Sequence, residues 1–422
     1  MVRVPEAANV TCCCFGGEKM DTLFITTATA FVPDGKQQVN GGAVFKVKMP
    51  GGFSGIPETP FADGAAPSLK FGVMSTAAIT AKTLPGMTTV VAVGSRDAAK
   101  ATKFIADNAA KTKGGFVGEG MTYDELVVHP DVEAIYCPLP TGLRNDWIRK
   151  AVAAGKHIYS EKPMGGTVAE LKALLDACAA KGLQFMDGTM WYHSKRTRAI
   201  EALLASGELG PLKSANASFT FHFPDQEWLD GGNGRTDKSR EPMGCLGDQG
   251  WYPLSAILWA FQWELPTHVM ATSTTFNKID TIVACSGVLF FEGGRVATFD
   301  CGCTAAHRSQ YEIVCELGTV RVDDLVGGQG RSGDFSAYFV PYVGSGRYTK
   351  GDVMGKDEVV EVEECDHVDA LVEDFTACVN RSKAGGAPDP DWPRRSLAMH
   401  AVMCAVFESA NNSGARAEVA KV

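Results

Sequence analysis

From residue 69 to about residue 190, short apolar runs alternate with amphipathic stretches, and this alternation constrains the fold more than any other feature of the sequence. The apolar runs are LKFGVM, TTVVAVGS, DVEAIYCPLP, KHIYSEKP and LQFMDGTM. Helical periodicity is clearest in the intervening AAKATKFIADNAAK, LRNDWIRKAVAAG and TVAELKALLDACAAKG. Short buried strands that alternate with helices are typical of a parallel, doubly wound sheet. We therefore predict an α/β fold with a Rossmann domain over residues 69–190.

The residues on either side of this region follow other patterns. Residues 1–68 contain two β-type runs, DTLFITTATAF and GGAVFKVKM, joined as in a hairpin, and then a Gly- and Pro-rich stretch typical of a linker. After residue 191, one helical stretch leads into alternating runs such as SANASFTFHF and TIVACSGVLFF, which favour a largely antiparallel sheet with one covered face. We expect helices over 250–263, 367–379 and 394–410 to cover that sheet. The prediction is a β-rich fragment (1–68), a Rossmann domain (69–190) and a C-terminal α+β domain (191–422).

Charge and composition exclude several classes of function. The net charge of −9 and the pI near 5.5 argue against a nucleic-acid-binding protein. The N-terminal residues lack the apolar region of a secretory signal, and the apolar stretch 252–263 is well short of the ~20 residues that span a bilayer. The thirteen cysteines are scattered, without the spaced pairs of a zinc site, so we predict free thiols and no metal. We expect a cytoplasmic protein without a membrane partner.

The turn after the first Rossmann strand is where such folds bind the pyrophosphate of a dinucleotide. In place of a Gly-rich loop, the chain has Ser75, Thr76, Ala77 and Ile79 there, which are candidate cofactor residues. A helix N-terminus can still present amides to a phosphate, although an ordinary strand-to-helix turn is the alternative. At the end of the second strand stand Ser95 and Arg96, where an enzyme that uses NAD more often has an acid. Both can hydrogen-bond a 2′-phosphate, which favours NADP over NAD unless Arg96 is simply solvated.

Three polar residues from two distant segments are candidates for catalysis. Lys162 ends the strand KHIYSEKP, at the sheet edge where a nicotinamide ring would lie. Asp248 and Tyr252 are four residues apart in GCLGDQGWYPLSAIL, a spacing that puts both on one face of a helix. The alternatives are a surface charge for Lys162, a helix N-cap for Asp248 and a core aromatic role for Tyr252.

The motifs SEKPMGGTVAELKALLDAC, PLPTGL, MDGTMWYH, ELGPLKS and GCLGDQGWYPLSAIL resemble the glucose–fructose oxidoreductase/inositol dehydrogenase (Gfo/Idh/MocA) family. They are most similar to its branch of dimeric dihydrodiol dehydrogenases and NADP-dependent D-xylose dehydrogenases. The resemblance implies that Tyr252 is the general acid/base, that Lys162 lowers its pKa, and that Asp248 binds a substrate hydroxyl or orients the base. It also implies a homodimer through the C-terminal sheet. The implied cofactor contacts beyond the first two strands are Pro138, Leu139, Thr141, Glu161, Lys162 and Pro163.

Two further residues follow the last Rossmann strand. Trp191 and His193 are candidates to line the substrate pocket, although a lone histidine is more often structural than functional. The chain also departs from the family pattern at two positions. It has Ser75 where relatives usually have glycine, and Arg144 near a position where many have His or Asn.

The N-terminal segment is similar to the last blade of the gluconolactonase/regucalcin family, a β-propeller. About sixty residues cannot close a propeller, so we predict neither lactonase activity nor a metal site there. A remnant of a two-enzyme fusion, an incorrect gene start and a neutral extension all stay open.

The combined prediction is NADP-dependent oxidation of a sugar or sugar-like alcohol, such as a D-xylose-type aldose to its lactone. Oxidation of a trans-dihydrodiol would use the same three residues, and the sequence does not separate the two. The other class is a non-catalytic regulator that binds NADP(H) or a sugar. Retention of Lys162, Asp248 and Tyr252 together argues for the enzyme.

Overall fold

The chain divides into two units, Met1–Ala66 and Pro67–Val422. The computed structural model describes three strands of the first unit and, in the second, residues 68–112, 116–223, 225–326, 336–341, 357–363 and 365–422. Among these residues, none of the helices combines the length and apolar character that a membrane crossing requires.

The first unit contains a three-stranded antiparallel sheet in the order β1-β2-β3. Its strands are β1 (Val10–Gly16), β2 (Thr22–Thr27) and β3 (Val44–Lys48). The predicted antiparallel pairing of the last two is confirmed. Strand β1, which contains the CCC run, was not predicted because VTCCCFG shows no alternation of apolar and polar residues. The predicted linker, except for its last residue, lies outside the described residues.

The second unit begins with a six-stranded parallel sheet, so the predicted doubly wound fold is confirmed. The strand order is β6-β5-β4-β7-β8-β9, and its direction of winding reverses between β4 and β7. Ligands of such sheets bind at this switch point, outside the carboxyl ends of the strands. The strands are β4 (Lys70–Met74), β5 (Thr89–Gly94), β6 (Phe116–Met121), β7 (Ala134–Cys137), β8 (His157–Ser160) and β9 (Phe185–Asp187).

Five helices accompany this sheet: α1 (Ala78–Thr83), α2 (Ala98–Asn108), α3 (Tyr123–Val128), α4 (Thr141–Ala153) and α5 (Val168–Ala180). Strand β6 and helix α3 were not predicted. The two glycines of β6 interrupt its apolar pattern, and both are needed: a Cβ on Gly118 would clash with the Val91 carbonyl oxygen, and one on Gly120 with the Thr102 amide nitrogen. The signal for α3 is the capping box formed by Thr122 and Glu125, which satisfies the first amides of the helix.

The remaining strands form a nine-stranded sheet in the order β17-β16-β15-β14-β10-β13-β12-β11-β18. Of its described strand pairs, only β10 and β13 run parallel, so the prediction of a largely antiparallel sheet is confirmed. The strands are β10 (Leu212–His222), β11 (His268–Phe276), β12 (Ile282–Phe290), β13 (Val296–Gly302), β14 (Thr304–Cys315), β15 (Thr319–Val322), β16 (Ser336–Pro341), β17 (Asp357–Val362) and β18 (Ala417–Glu418).

The helices of this part of the chain are α6 (Lys195–Ser206), α7 (Gly244–Asp248), α8 (Trp251–Ala260), α9 (His367–Lys383) and α10 (Asp391–Asn411). Helix α8, entirely buried, covers the nine-stranded sheet by packing on β10, β13 and β14. Helix α10 contacts both β11 and the Rossmann elements β9 and α5.

Helix α9 packs against the Rossmann sheet, so the prediction that residues 367–379 cover the antiparallel sheet is wrong. Its buried residues Leu371, Val372 and Phe375 belong to the same apolar cluster as Phe71 and Val73 of β4. The spacing of Leu371 and Phe375 identifies an apolar helix face but does not say which sheet it meets.

The expectation that every cysteine is a free thiol is wrong for one pair. Cys245 of α7 and Cys303, which follows β13, form a disulfide, and both are fully buried. The described cysteines that stay free are Cys137, Cys178, Cys285, Cys301, Cys315, Cys365, Cys378 and Cys404.

Candidate active site

The turn after β4 adopts a glycine-like conformation without a glycine. Ser75 has φ +149°, its Oγ accepts a hydrogen bond from the Ala77 amide at 3.0 Å, and its carbonyl accepts one from Thr80 Oγ1 at 3.2 Å. Thr76 and Ala77 are half-buried, and Ile79, at the start of α1, is 40% exposed. These four candidate residues therefore lie together at the carboxyl end of β4, beside the switch point.

The end of β5 places a buried hydroxyl beside an exposed cation. The Ser95 amide donates to the Met121 carbonyl at 2.9 Å, which fixes the turn to the end of β6. Ser95 is buried and Arg96 is exposed. The arginine is therefore free to approach a phosphate from the solvent side.

Arg144 joins the two remaining candidate cofactor segments. Its Nε and Nη2 donate to the Leu139 carbonyl at 3.0 and 2.8 Å, and its Nη1 donates to the carbonyls of Glu161 and Pro163. The guanidinium is buried, and an ammonium could not span three carbonyls in this geometry. The arginine that departs from the family pattern thus fixes the turn after β7, with Pro138 and Leu139, against the turn that carries Lys162.

Lys162, Asp248 and Tyr252 meet at the carboxyl edge of β8. The Lys162 Nζ lies 2.8 Å from Asp248 Oδ1, 2.9 Å from the Asp248 carbonyl oxygen and 4.6 Å from the centre of the Tyr252 ring. The side chains of Lys162 and Asp248 are only 10% and 20% exposed, and Tyr252 is buried. The two chain segments that sequence reasoning paired therefore form one cluster.

The helical setting of Asp248 and Tyr252 differs from the prediction. Asp248 ends α7, Tyr252 lies in α8, and the residue before α8 is Gly250, so Asp248 does not cap α8. Gln249 and Gly250 between the helices keep right-handed helical dihedral angles. The side chains of Asp248 and Tyr252 consequently lie on the same face of the two consecutive helices, although the helix is interrupted between them.

Arg235 is a further member of the cluster that sequence reasoning missed. Its Nε lies 2.7 Å from Asp248 Oδ2, the carboxylate oxygen that does not contact Lys162. Arg235 belongs to the irregular segment between β10 and α7, which has no periodicity that would have identified it.

Burial and charge act in opposite directions on these groups. Burial opposes the ammonium form of Lys162, but Asp248, together with Tyr252 and Glu161, outweighs it and raises the pKa of Lys162 above its ordinary value. Burial likewise opposes ionisation of Asp248, but Lys162 and Arg235 hold the pKa of Asp248 below its usual range. Burial raises the pKa of Tyr252, and Lys162 offsets this only in part. Lys162 therefore lowers the pKa of Tyr252, as expected, but burial leaves the net pKa above its ordinary value.

Two glutamates border the cluster, the half-buried Glu161 and the buried Glu241. Glu161 accepts a hydrogen bond from the Tyr136 hydroxyl at 2.8 Å, and burial raises its pKa. Glu241, which sequence reasoning missed, accepts one from Thr141 Oγ1 at 2.5 Å, and burial raises its pKa to about 7. Both carboxyl groups are oriented by hydroxyl donors rather than by cations.

Trp191 and His193 have packing contacts. The Trp191 indole donates to Ser255 Oγ at 3.1 Å and meets the Trp259 ring edge-on. His193 Nδ1 lies 2.6 Å from an Asp374 oxygen, and burial lowers the pKa of His193. Both rings are buried among these neighbours, so substrate binding by either stays a prediction.

Three family models match the chain. Residues 71–189 match an oxidoreductase family with an NAD-binding Rossmann fold, and residues 197–321 match the GFO/IDH/MocA C-terminal domain. Residues 1–29 match an SMP-30/gluconolactonase/LRE-like region, which confirms the predicted similarity of the N-terminal fragment.

Curated relatives and a solved structure are similar to parts of this chain. A dTDP-3,4-didehydro-2,6-dideoxy-α-D-glucose 3-reductase of Saccharopolyspora spinosa is 32% identical over 262 residues, 60% of this chain and 74% of that protein. A D-xylose 1-dehydrogenase (NADP(+)) 2 of Haloferax volcanii is 29% identical over 254 residues, 58% and 73% of the two chains. A mutant of KijD10, a 3-ketoreductase from Actinomadura kijaniata, has the same fold, with a TM-score of 0.67 and 24% identity over 81% of this chain and 98% of its own.

Proposed function

Because this chain belongs to the Gfo/Idh/MocA family of oxidoreductases, we propose that it transfers a hydride between NADP and a carbinol carbon of a sugar or sugar-like alcohol. The observation that carries the proposal is the cluster of Lys162, Asp248 and Tyr252, which come from two segments 86 residues apart and meet at the carboxyl edge of the parallel sheet. That edge is where a doubly wound fold holds the reactive end of a dinucleotide.

The residues at the switch point suit NADP. Ser75, Thr76, Ala77 and Ile79 would lie along the pyrophosphate, and Ser95 and Arg96 would hold the 2′-phosphate. The Arg144-fixed turns, with Pro138, Leu139, Thr141, Glu161 and Pro163, would border the nicotinamide half. When bound, the nicotinamide supplies the hydride acceptor or donor. The H. volcanii relative, which is named for NADP, supports the same choice.

Tyr252, Lys162 and Asp248 each have a different role towards the substrate. Tyr252 exchanges the proton of the reacting hydroxyl, and the adjacent Lys162 ammonium stabilises negative charge on that oxygen or on the phenol. Asp248 stays ionised between two cations and accepts a hydrogen bond from a second substrate hydroxyl. Holding the reacting groups in contact supplies much of the rate, since orientation is worth about 7–11 kcal/mol.

Oxidation of a D-xylose-type aldose at its anomeric carbon, giving a lactone, is the first candidate reaction, and the H. volcanii relative supports it. Reduction of a keto sugar is the second. Two observations favour it: the pKa of Tyr252 is raised, which suits a proton donor, and the S. spinosa relative is named as a 3-reductase.

Steady-state absorbance of NADPH at 340 nm tests the proposal in both directions. We expect turnover with at least one of D-xylose, D-glucose, benzene dihydrodiol or a 3-keto sugar, and a loss of about 10²–10⁴-fold in kcat for Tyr252→Phe. Tyr192→Phe, at a buried tyrosine outside the cluster, is the matched control. If NADP binds tightly and none of the substrates reacts in either direction, the non-catalytic regulator replaces the enzyme.

A further inference from the structure

Two cations share one carboxylate in the candidate site. The Asp248 carboxylate is held between them, with Lys162 on Oδ1 at 2.8 Å and Arg235 on Oδ2 at 2.7 Å. Lys162 also interacts with the neighbouring Glu161. The ion pair that the structure gives Arg235 is the one with Asp248.

Arg235 is held above the site by its own loop. The Arg235 amide donates to Asn233 Oδ1 at 2.7 Å, and Asn233 Nδ2 donates to Thr236 Oγ1 at 2.9 Å. Asn277 Nδ2 in turn donates to the Thr236 carbonyl at 2.9 Å, which ties the loop to the end of β11. The backbone is fixed, whereas the Arg235 side chain is 57% exposed. The guanidinium therefore contacts both the solvent and the half-buried carboxylate of Asp248.

Other cations of the same loop have different partners. Lys238 pairs with Asp280 at 3.8 Å and Arg240 with Asp237 at 3.6 Å, and those carboxylates lie outside the cluster. Of the described basic residues of this loop, Arg235 is thus the one whose ion pair lies in the candidate active site.

The ion pair between Arg235 and Asp248 also limits the hydrogen bonds that the Asp248 carboxylate can accept, and the proposed mechanism needs one of them for the substrate. Asp248 can accept a substrate hydroxyl only through a lone pair that the two cations leave open, and Arg235 occupies Oδ2, the oxygen on which Lys162 makes no hydrogen bond. A guanidinium has five N–H donors in a fixed fork that matches carboxylate and phosphate oxygens. An oxyanion on the substrate would draw this fork away from Asp248 and free Oδ2.

We propose that Arg235 is a specificity-determining residue that binds an oxyanion of the sugar substrate, either a carboxylate or a phosphate, and in doing so releases Asp248 to accept a sugar hydroxyl. The inference rests on the proposed hydride transfer and narrows its substrate class to acidic sugars. Neutral aldoses react more slowly because they leave the Arg235–Asp248 pair in place.

Matched substrates that differ in one oxyanion test this directly. With saturating NADP, kcat/KM is measured for D-glucose, D-glucuronate and D-glucose 6-phosphate on the wild type and on Arg235→Met, Arg235→Lys and Lys238→Met. We expect the wild type to prefer one acidic sugar, and Arg235→Met to lower kcat/KM for that sugar by about 10–100-fold, mainly through KM. For D-glucose the same variant should raise kcat/KM, because Asp248 Oδ2 is then free to accept a sugar hydroxyl. Arg235→Lys restores part of the loss, and Lys238→Met matches the wild type. The preferred member of the panel distinguishes a carboxylate from a phosphate.

A binding measurement distinguishes failure of the proposed oxyanion site from failure of the proposed hydride transfer. The thermal shift of the NADP-bound protein is measured with D-glucuronate, D-glucose 6-phosphate and inorganic phosphate. Stabilisation that Arg235→Met abolishes, without turnover of any sugar, supports the oxyanion site and contradicts the hydride transfer. Turnover of D-glucose equal to that of both acidic sugars, or an equal loss of kcat with all three in Arg235→Met, overturns the oxyanion site and leaves the hydride transfer standing.

Discussion

Ser75 occupies a backbone conformation that favours glycine, with φ +149°. A residue with a Cβ in a sparsely populated region costs about 1–3 kcal/mol, and Ser75 recovers part of that cost through its bond to the Ala77 amide. Ser75→Gly and Ser75→Ala both remove the hydroxyl, but only glycine relieves the backbone. We expect the glycine variant to be more stable than the alanine variant by about 1 kcal/mol or more in urea unfolding. Equal stability would contradict backbone strain at this turn.

Glu241 gives the protein a pH-dependent term in its stability. Its pKa is about 7 when folded, against an ordinary value of 4.5, so the folded state keeps a proton that the unfolded state loses. The free energy of unfolding therefore falls as the pH rises from about 4.5 to 7 and is level above that range.

Glu241→Gln cannot ionise, so it removes the pH-dependent contribution of this residue to the free energy of unfolding. The glutamine retains an oxygen that can accept the hydrogen bond from Thr141. Compared with the wild type, we expect the variant to be more stable at pH 8 by on the order of 3 kcal/mol and to converge with it towards pH 4.5. Urea unfolding at a series of pH values measures the difference. A difference independent of pH would contradict the raised pKa.

Single site residues could be predicted from the sequence where they belong to a recognisable local motif. Lys162 stands in EKP, and Asp248 and Tyr252 stand in GDQGWY, so their meeting was predictable. Arg235 and Glu241 belong to no such motif. Their contacts, with Asp248 and with Thr141, depend on how an irregular segment folds back on the site, which neither periodicity nor spacing encodes.

At the scale of the element, helix α7 carries Asp248 and is tied to the antiparallel sheet by the disulfide between Cys245 and Cys303. The two cysteines are 58 residues apart. In the chain-entropy model, closing a loop of this size contributes about 4 kcal/mol to stability.

Replacement of Cys303 by Ser, or treatment of the wild type with a reductant, should lower the free energy of unfolding by about 2–4 kcal/mol. Cys365→Ser, at a free and half-buried cysteine, is the matched control and should change little. Denaturant unfolding with and without reductant measures both effects. A wild type that the reductant leaves unchanged would contradict the disulfide.

Elements with strong periodicity were predictable, and those with weak patterns were not. The strands and helices from β4 to β9 were found where apolar runs alternate with amphipathic ones, except β6 and α3. Helix α9 was recognised as a helix, but its partner was wrong, because the apolar face of a helix is compatible with either sheet. Pairing between distant elements depends on the shape of the assembled core.

For the whole molecule, the second unit contains every candidate catalytic and cofactor residue. The first unit has a sheet of its own, and its similarity to a gluconolactonase-like region covers residues 1–29 only. The predicted homodimer through the nine-stranded sheet and the predicted domain boundaries stay predictions.

Deletion of residues 1–66 should therefore leave catalysis intact. We expect kcat/KM for NADP and for the preferred sugar to stay within about twofold of the full-length value, since no residue of the proposed mechanism is lost. Steady-state kinetics on both proteins, with melting temperatures to check folding, measure this. A tenfold loss of kcat in a folded deletion variant would assign the first unit a part in the reaction.

The central claim is that the Lys162 ammonium, the Asp248 carboxylate and the Tyr252 phenol form the centre of hydride transfer. Its most direct test is Lys162→Met, with turnover measured by NADPH absorbance and NADP affinity measured by calorimetry on the same preparation. The account predicts a loss of turnover of at least about 10²-fold with NADP affinity largely unchanged. Turnover that persists within a few-fold of the wild type would contradict it.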